Sequence, residues 1–420
     1  METSQLKIVN LAGSPRNRGR IHGEELRQDI QADRLAQGMD RNGLLYFSFE
    51  DERLAGMTTA DLGRVVEEYY QLYPEWRDGQ QRAVFFFDEM QIVPGWETFA
   101  RRLLDTEQVE LFISGSSARL LSREVATSMR GRAMEALVHP FSFREYLRHL
   151  DQEPQHSPEQ LPKRQRSALG KALRTYLTEG GFPEAIGSMP RDRFELLRGY
   201  VDTTLLRDVI ERYDISRPVA LHWMVRQLLG NAAGAFSINK FHRDLRAQGI
   251  PIAKDTLHTY LSYLEDAFLI RIVSLFSISE RRRMVNPRKV YPIDTGLIPI
   301  FDRSGRANTG HALETAVLLE LERRGARTSY FLTAKGYEVD FITRLPEGNE
   351  ELVQVCADLN TPTTREREIR ALLEAAKERR QATLHLITLA AEAPPDLPEN
   401  ITWHSALTWF IGDGNMPNPS

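Results

Sequence analysis

Cysteine is almost missing from this chain. Its 420 residues include one, Cys356, so no internal disulfide can form and no Cys/His cluster of zinc-ligand spacing exists. That scarcity fits a reducing, cytoplasmic setting. Long apolar runs are missing too. No stretch approaches the ~18 uninterrupted apolar residues of a membrane span. Met1 to Leu11 also lacks the basic start and apolar stretch of a secretion signal. Charge of one sign is not in excess: 54 Lys and Arg stand against 58 Asp and Glu, a net charge of -4. That balance argues against a protein coating nucleic acid over its whole surface, and it leaves room for local basic patches. No internal repeat and no low-complexity tract occurs. What remains is ordinary globular material, 41% hydrophobic and 27% charged, long enough for two to four domains.

Periodicity divides the chain. Residues 6–11 and 44–49 read as strands around a Gly, Pro and Asn-rich loop at 12–20 and an amphipathic helix at 22–37. A helix over 61–72 follows, then an apolar run at 83–88, a helix near 96–104 and a buried strand at 109–113. Strands alternating with helices through residue 150 predict a parallel sheet covered on both faces. Residues 151–166 are polar and hold three prolines, so they read as a linker. Helices dominate 167–229, interrupted at Gly180-Gly181-Phe182-Pro183-Glu184. Helices at 238–248 and 253–265 flank a turn at Gly249-Ile250-Pro251. Strands at 270–276 and 288–292 follow, and together these suggest a winged helix. The last segment reads helix 309–325, strands 328–332, 337–344 and 351–357, helix 364–380, and strand 382–389. That order resembles the core of restriction-endonuclease-like domains. The tail from Gly412 to Ser420 reads as disordered.

The run Ala83-Val84-Phe85-Phe86-Phe87-Asp88-Glu89-Met90-Gln91 carries the most chemistry. A buried strand here would deliver two carboxylates to the edge of a sheet. P-loop ATPases present in this way the Asp that helps hold Mg²⁺ and the Glu that polarises the attacking water. The plain alternative is a strand end with two exposed acids. Ser114-Gly115-Ser116 ends a second apolar strand, as a phosphate-sensing turn or a simple Ser/Gly turn. Arg130 and Arg132 offer planar donor forks to a phosphate, or surface ion pairs. The phosphate-cradling loop G-x-x-x-x-G-K-[ST] is nowhere in the chain.

Several motifs together resemble one group of prokaryotic AAA-type ATPases, over about residues 32–410. They are Phe87-Asp88-Glu89-x-Gln91 with Trp96-Glu97, Ile113 to Ser117, Gly131-Arg132, and Pro140 to Tyr146. Gly180 to Glu184, Leu206-Arg207-Asp208-Val209 and Lys289 to Leu297 complete the set. These proteins couple an ATPase domain to a C-terminal region of unknown function. The resemblance implies ATP and Mg²⁺ as cofactors, with Asp88 on the metal, Glu89 orienting water, Ser116 sensing phosphate and Arg132 stabilising charge. The front departs from the pattern. In Gly13-Ser14-Pro15-Arg16-Asn17-Arg18-Gly19-Arg20-Ile21 the glycines stand one residue too far apart. Arg20 takes the place of Lys, Ile21 cannot bind metal, and Pro15 lacks an N–H. Gly13, Gly19 and Arg20 are the residues left to face a phosphate. Residues 6–30 resemble instead the start of penicillin acyltransferase-like Ntn hydrolases, without a counterpart of that family's maturation cysteine. A fusion or misassembled start replacing the P-loop is the expectation.

Further along, Lys254, Thr256, His258 and Thr259 lie on the second helix of the helix-turn-helix. Arg281, Arg282, Arg283, Arg288 and Lys289 put five cations in nine residues with no acid. They could meet DNA phosphates as a wing, or form a solvated charge run; the helix could equally serve packing or dimerisation. Glu314, Asp340 and Gln354 occupy the places of the nuclease constellation, but Cys356 stands where that constellation needs Lys. An inherited fold used for binding or scaffolding is therefore expected over a metal-dependent nuclease.

The expected fold class is α/β: a P-loop NTPase-like parallel sheet core, a helical lid, a winged helix and a C-terminal restriction-endonuclease-like domain. The expected boundaries are 1–31 for the atypical start, 32–150 for the AAA-type core and 151–235 for the lid. The winged helix takes 236–297, the last domain 298–411 and the tail 412–420. The expected function is that of an AAA-type ATPase-like protein near DNA with impaired nucleotide binding. A catalytically silent DNA- or protein-binding module is the alternative. Expected partners are DNA and a protein partner or a second copy, with no membrane.

Overall fold

The computed structural model describes residues 6–11, 30–77, 81–115, 133–156, 158–277, 279, 281–282, 287–302, 308–345 and 348–412. The chain divides into two compact units. The first takes residues 1–139, 203–213 and 266–268; the second takes 140–202, 214–265 and 269–420.

The first unit is built on a five-stranded sheet of β1 (Leu6–Leu11), β2 (Leu44–Ser48), β3 (Ala83–Asp88), β4 (Val109–Gly115) and β5 (Ala133–Val138). Its order is β2-β3-β4-β1-β5 and every pairing is parallel, as the alternation of strands and helices predicts. β5 was not foreseen in the sequence. Strand β3 is buried on both faces, which is why it reads as an unbroken apolar run. Phe85 and Phe87 pack with Leu111, Ile113 and the helices α1 (Thr59–Leu72) and α2 (Trp96–Thr106). On the other face Val84 and Phe86 meet Phe112, with Phe86 and Phe112 stacked at 4.9 Å. α1 starts at a capping box between Thr58 and Asp61. Of the helix expected over 22–37, the described part runs over residues 30–36. The loop at 12–20 lies outside the described residues.

The second unit is helical at first. It holds α3 (Phe143–His149), α4 (Lys163–Glu179), α5 (Pro190–Thr204) and α6 (Pro218–Leu229). The stretch expected as a linker is partly ordered: it contains a short 3₁₀ turn at Pro158–Gln160, and α4 begins four residues before the expected start. Gly180 and Gly181 end α4 against a buried carboxylate. Asp294 accepts hydrogen bonds from Gly181 N at 2.6 Å and Gly296 N at 2.8 Å. A Cβ on Gly180 would lie 1.8 Å from Asp294 Oδ1, so only glycine fits there.

Next come α7 (Ile238–Ala247) and α8 (Lys254–Asp266), joined through Gly249, whose φ of +74° follows the helix end. Two bonds pin this turn: Arg217 donates to the Pro251 carbonyl, and the His242 ring bonds the Ile252 carbonyl at 3.0 Å. A small antiparallel sheet follows, in the order β6 (Ala235–Phe236), β8 (Arg288–Pro292), β7 (Ile270–Val273).

The end of the chain forms a five-stranded mixed sheet from β9 (Arg327–Leu332), β10 (Glu338–Arg344), β11 (Glu350–Cys356), β12 (Thr383–Thr388) and β13 (Ile401–Ser405). β9 to β11 pair antiparallel, while β11 to β13 pair parallel. Helix α9 (Thr309–Arg323) is in the core on one face, and α10 (Pro362–Glu378) covers the other. β13 and the closing helix α11 (Ala406–Ile411) were not foreseen. Gly412 is the one residue of the expected tail that is described.

Candidate functional site

The parallel register delivers the expected acids to one sheet edge. Asp88, the last residue of β3, pairs with Ser114 of β4 and with Ser48 of β2. Ser114 Oγ donates to Asp88 Oδ1 at 2.5 Å, and Tyr46 OH donates to Oδ2 at 3.3 Å. The Asp88 carboxylate is therefore oriented by two hydroxyls. Glu89 follows in the left-handed region, at φ +52° and ψ +35°. For a residue with a Cβ this conformation costs on the order of 1–3 kcal/mol and persists where surrounding packing imposes it. The turn tucks the Glu89 carboxyl inward, to 6% exposure, where Gln91 Nε2 donates to it. Burial, then the charges of Asp88 and Glu50, push the Glu89 pKa up to about 8. Glu89 thus carries a proton at neutral pH and cannot take another until it loses that one. Ser48 Oγ and Gln91 Oε1 are buried without a partner among the described residues. Such atoms are normally satisfied by water or a ligand.

The strand that should lead into a phosphate loop is in the sheet interior. β1 lies between β4 and β5, and Val9 pairs with Ser114, so Leu11 ends at the same edge as Asp88. Gly13, Gly19, Arg20, Ser116 and Arg132 lie outside the described residues. Fit to a bound Mg·nucleotide divides accordingly. The oriented Asp88 carboxylate and the two orphaned polar atoms suit a hydrated cation. In the sequence over 13–21, Arg20 and Ile21 stand where the phosphate-loop motif has Lys and Ser or Thr.

In the second unit the expected DNA contacts separate into two sets. Lys254, Arg281 and Arg282 are exposed, Arg288 is half-buried, and Arg283 lies outside the described residues. Lys254 at the start of α8 and Arg288 on β8 both act on His258. Burial first, then those two positive charges, lower its pKa below the ordinary 6.5. Helix and strand thus bring cations to one place. Lys289 does not join them, and this corrects the sequence expectation. It is 5% exposed, and its Nζ lies 2.8 Å from Glu314 Oε1, 3.0 Å from Asp340 Oδ1 and 3.0 Å from Glu338 Oε1. The reason is strand alternation: Lys289 shares a face of β8 with Tyr291, not with Arg288.

Glu314, Asp340 and Gln354 do converge. Tyr291 OH donates to Glu314 Oε1 at 2.8 Å, and Val355 N donates to Asp340 Oδ2 at 3.0 Å. Gln354 is engaged at both ends of its amide. Its Oε1 accepts from Asp340 N at 3.3 Å and its Nε2 donates to Glu368 Oε2 at 2.6 Å. Burial, then the Asp340 charge, push the Glu314 pKa up, while Lys289 and the Tyr291 hydroxyl pull it back down. Burial works to lower the Lys289 pKa, but Asp340, Glu314 and Glu338 outweigh it, so Lys289 stays charged. Sequence reading missed Glu338, Glu368 and Tyr291. Tyr291 could have been found from the period-two pattern of Lys289 and Tyr291, and Glu338 from its place two residues before Asp340 on β10; Glu368 left no such signal.

Comparison with known proteins agrees with the first unit. A family profile described as an AAA domain matches residues 26–147, and one for a domain of unknown function, DUF8612, matches residues 170–304. An uncharacterized protein of Methanocaldococcus jannaschii, MJ1544, is 33% identical over 342 residues, covering 80% of this chain and 74% of that protein. An uncharacterized protein of Haemophilus influenzae is 28% identical over 310 residues, 73% of each chain. Among solved structures, the Walker-type ATPase paby2304 of Pyrococcus abyssi aligns with a TM-score of 0.43 and 14% identity, over 71% of this chain and 91% of its own. The Aeropyrum pernix ORC2 protein in its ADP form gives 0.36 and 11%, over 71% and 87%. Both are distant likenesses of chain trace. The chain belongs to the family of MJ1544, and within it residues 26–147 are an AAA-type domain.

Proposed function

We propose that this chain is an AAA-type ATPase-like protein that keeps the acidic edge of a nucleotide site without its phosphate grip, and that it works as a DNA-associated binding module. The observation that carries the first half is the contrast between two segments. Asp88 is oriented by Ser114 and Tyr46, while after Gly19 the chain has Arg20 and Ile21 where the phosphate-loop motif has Lys and a metal-binding hydroxyl. The AAA-domain match over residues 26–147 supports the ATPase-like part of this reading.

When bound, Mg²⁺ would supply positive charge to a phosphate. Asp88 would hold it, Ser114 and Tyr46 would fix that carboxylate, and Ser116 and Arg132 would stand by it. Gly13, Gly19 and Arg20 would face the phosphates weakly. Glu89 would position water only after losing the proton that burial keeps on it.

The second half rests on the convergence of Lys254 and Arg288 at His258. A helix-turn-helix followed by a small antiparallel sheet is the arrangement of a winged helix. Lys254 would enter from α8, and Arg281, Arg282, Arg283 and Arg288 would reach phosphates from the adjoining strand and loop. The mixed sheet after residue 298 serves as a restriction-endonuclease-like scaffold in this reading. The test is fluorescence anisotropy of a labelled DNA duplex over a salt series, with and without Mg·ATP. Binding that weakens steeply with salt and ignores ATP is expected. No binding at low salt, or binding that needs ATP, would contradict the proposal.

A further inference from the structure

The metal suggested by the last domain's resemblance to nucleases does not fit the residues present. An ammonium has three donors, and the one on Lys289 reaches three carboxylates, on Glu314, Asp340 and Glu338, at 2.8, 3.0 and 3.0 Å. These groups come from separate segments: Lys289 from β8, Glu314 from α9, and Glu338 and Asp340 from β10. The remaining groups are committed as well. Tyr291 OH holds Glu314, Val355 N holds Asp340, and Gln354 is used at both ends by Asp340 N and Glu368. Mg²⁺ requires near-octahedral oxygens at about 2.0–2.1 Å and keeps several waters. The place where it would meet Glu314 and Asp340 is filled by a side chain that is 5% exposed.

We infer that Lys289 is the resident cation of this cluster, standing where a divalent metal would otherwise neutralise Glu314 and Asp340. The cluster then ties β8, α9 and β10 together and performs no metal-dependent hydrolysis. Two buried carboxylates facing each other would repel; a fixed ammonium between them removes that repulsion without any metal in solution. The same strand turns Arg288 to its other face, so the buried cation and the cationic face at His258 are set by one element. This inference does not depend on whether that face binds DNA.

The test uses Mn²⁺ alone on the full chain. Bound Mn²⁺ is counted by the loss of its free paramagnetic resonance signal, in the native sequence and in Glu314→Gln. The two isotherms should coincide, since any Mn²⁺ held at the Asp88 edge is common to both. A site present in the native chain and missing from Glu314→Gln would overturn the inference. The second arm compares Lys289→Ala with Lys289→Ala/Glu314→Gln. The single variant, with its carboxylates left unpaired, should gain one Mn²⁺ and a rise in unfolding temperature on adding it. The double variant should gain neither. A folded Lys289→Ala that gains nothing from Mn²⁺ would also overturn the inference. If that variant does not fold, the first arm decides alone.

Discussion

Replacing Glu89 by Gln should change how stability depends on pH, and the size of the effect follows from its burial. The carboxyl is 6% exposed and its pKa is pushed up to about 8, from an ordinary 4.5. The folded state therefore keeps a proton that the unfolded chain gives up. The sign follows from linkage: where the folded form binds more protons, stability falls as pH rises. Between about pH 4.5 and 8 the loss is about 1.4 kcal/mol per pH unit; above the folded pKa it levels off. Summed from near pH 5 to near pH 8.5, the term costs about 4 kcal/mol. Gln keeps the size and hydrogen-bonding capacity of the protonated acid but has nothing to titrate. The variant should therefore match the native chain near pH 5 and exceed it by about 4 kcal/mol near pH 8.5. Other raised groups, such as Glu314 and Asp294, cancel in the comparison because both proteins share them. Hydrogen exchange of the Phe85 to Phe87 amides, corrected for intrinsic rates, reads the first unit directly. Equal pH slopes in the two proteins would show that Glu89 is ionised in the fold, and the burial argument would fail.

Two further outcomes follow from packing and charge. Gly181→Ala would put a Cβ 2.2 Å from the Phe141 carbonyl oxygen, a backbone atom with no rotamer to change. It should destabilise the second unit by about 2–3 kcal/mol, read by urea unfolding or by exchange of the α4 amides; a neutral effect would contradict the close approach. Arg288→Ala should lower the salt slope of DNA binding by about one phosphate contact without altering the fold, read by anisotropy and circular dichroism. An unchanged slope would remove Arg288 from the proposed interface.

The parallel sheet was legible because its β3 strand is buried on both faces and the flanking helices carry one apolar stripe. β3 announces itself with Val84 to Phe87, and Asp88 and Glu89 stand where a strand end must meet the sheet edge. What composition could not show is the turn at Glu89. A left-handed backbone at a glutamate has no sequence signature, yet it is what buries the carboxyl and raises its pKa. The short edge strand β13 was missed because Ile401-Thr402-Trp403-His404-Ser405 is half polar and follows a proline-rich turn. Lys289 was misread for a different reason. A run of cations looks like one surface when read as a string, but a strand sends neighbouring side chains to opposite faces. Arg288 and Lys289 therefore belong to different environments, and the carboxylates that claim Lys289 come from 25 or more positions away.

The most direct test of the account is calorimetric titration of Mg·ATP into the folded full chain, with Asp88→Asn beside it. If the proposed loss of the phosphate grip holds, neither protein gives saturable heat, because Arg20 and Ile21 stand where the phosphate-loop motif has Lys and Ser or Thr. Tight binding in the native chain that weakens in Asp88→Asn would contradict it, and would mean that the segment after β1 cradles phosphate without a lysine.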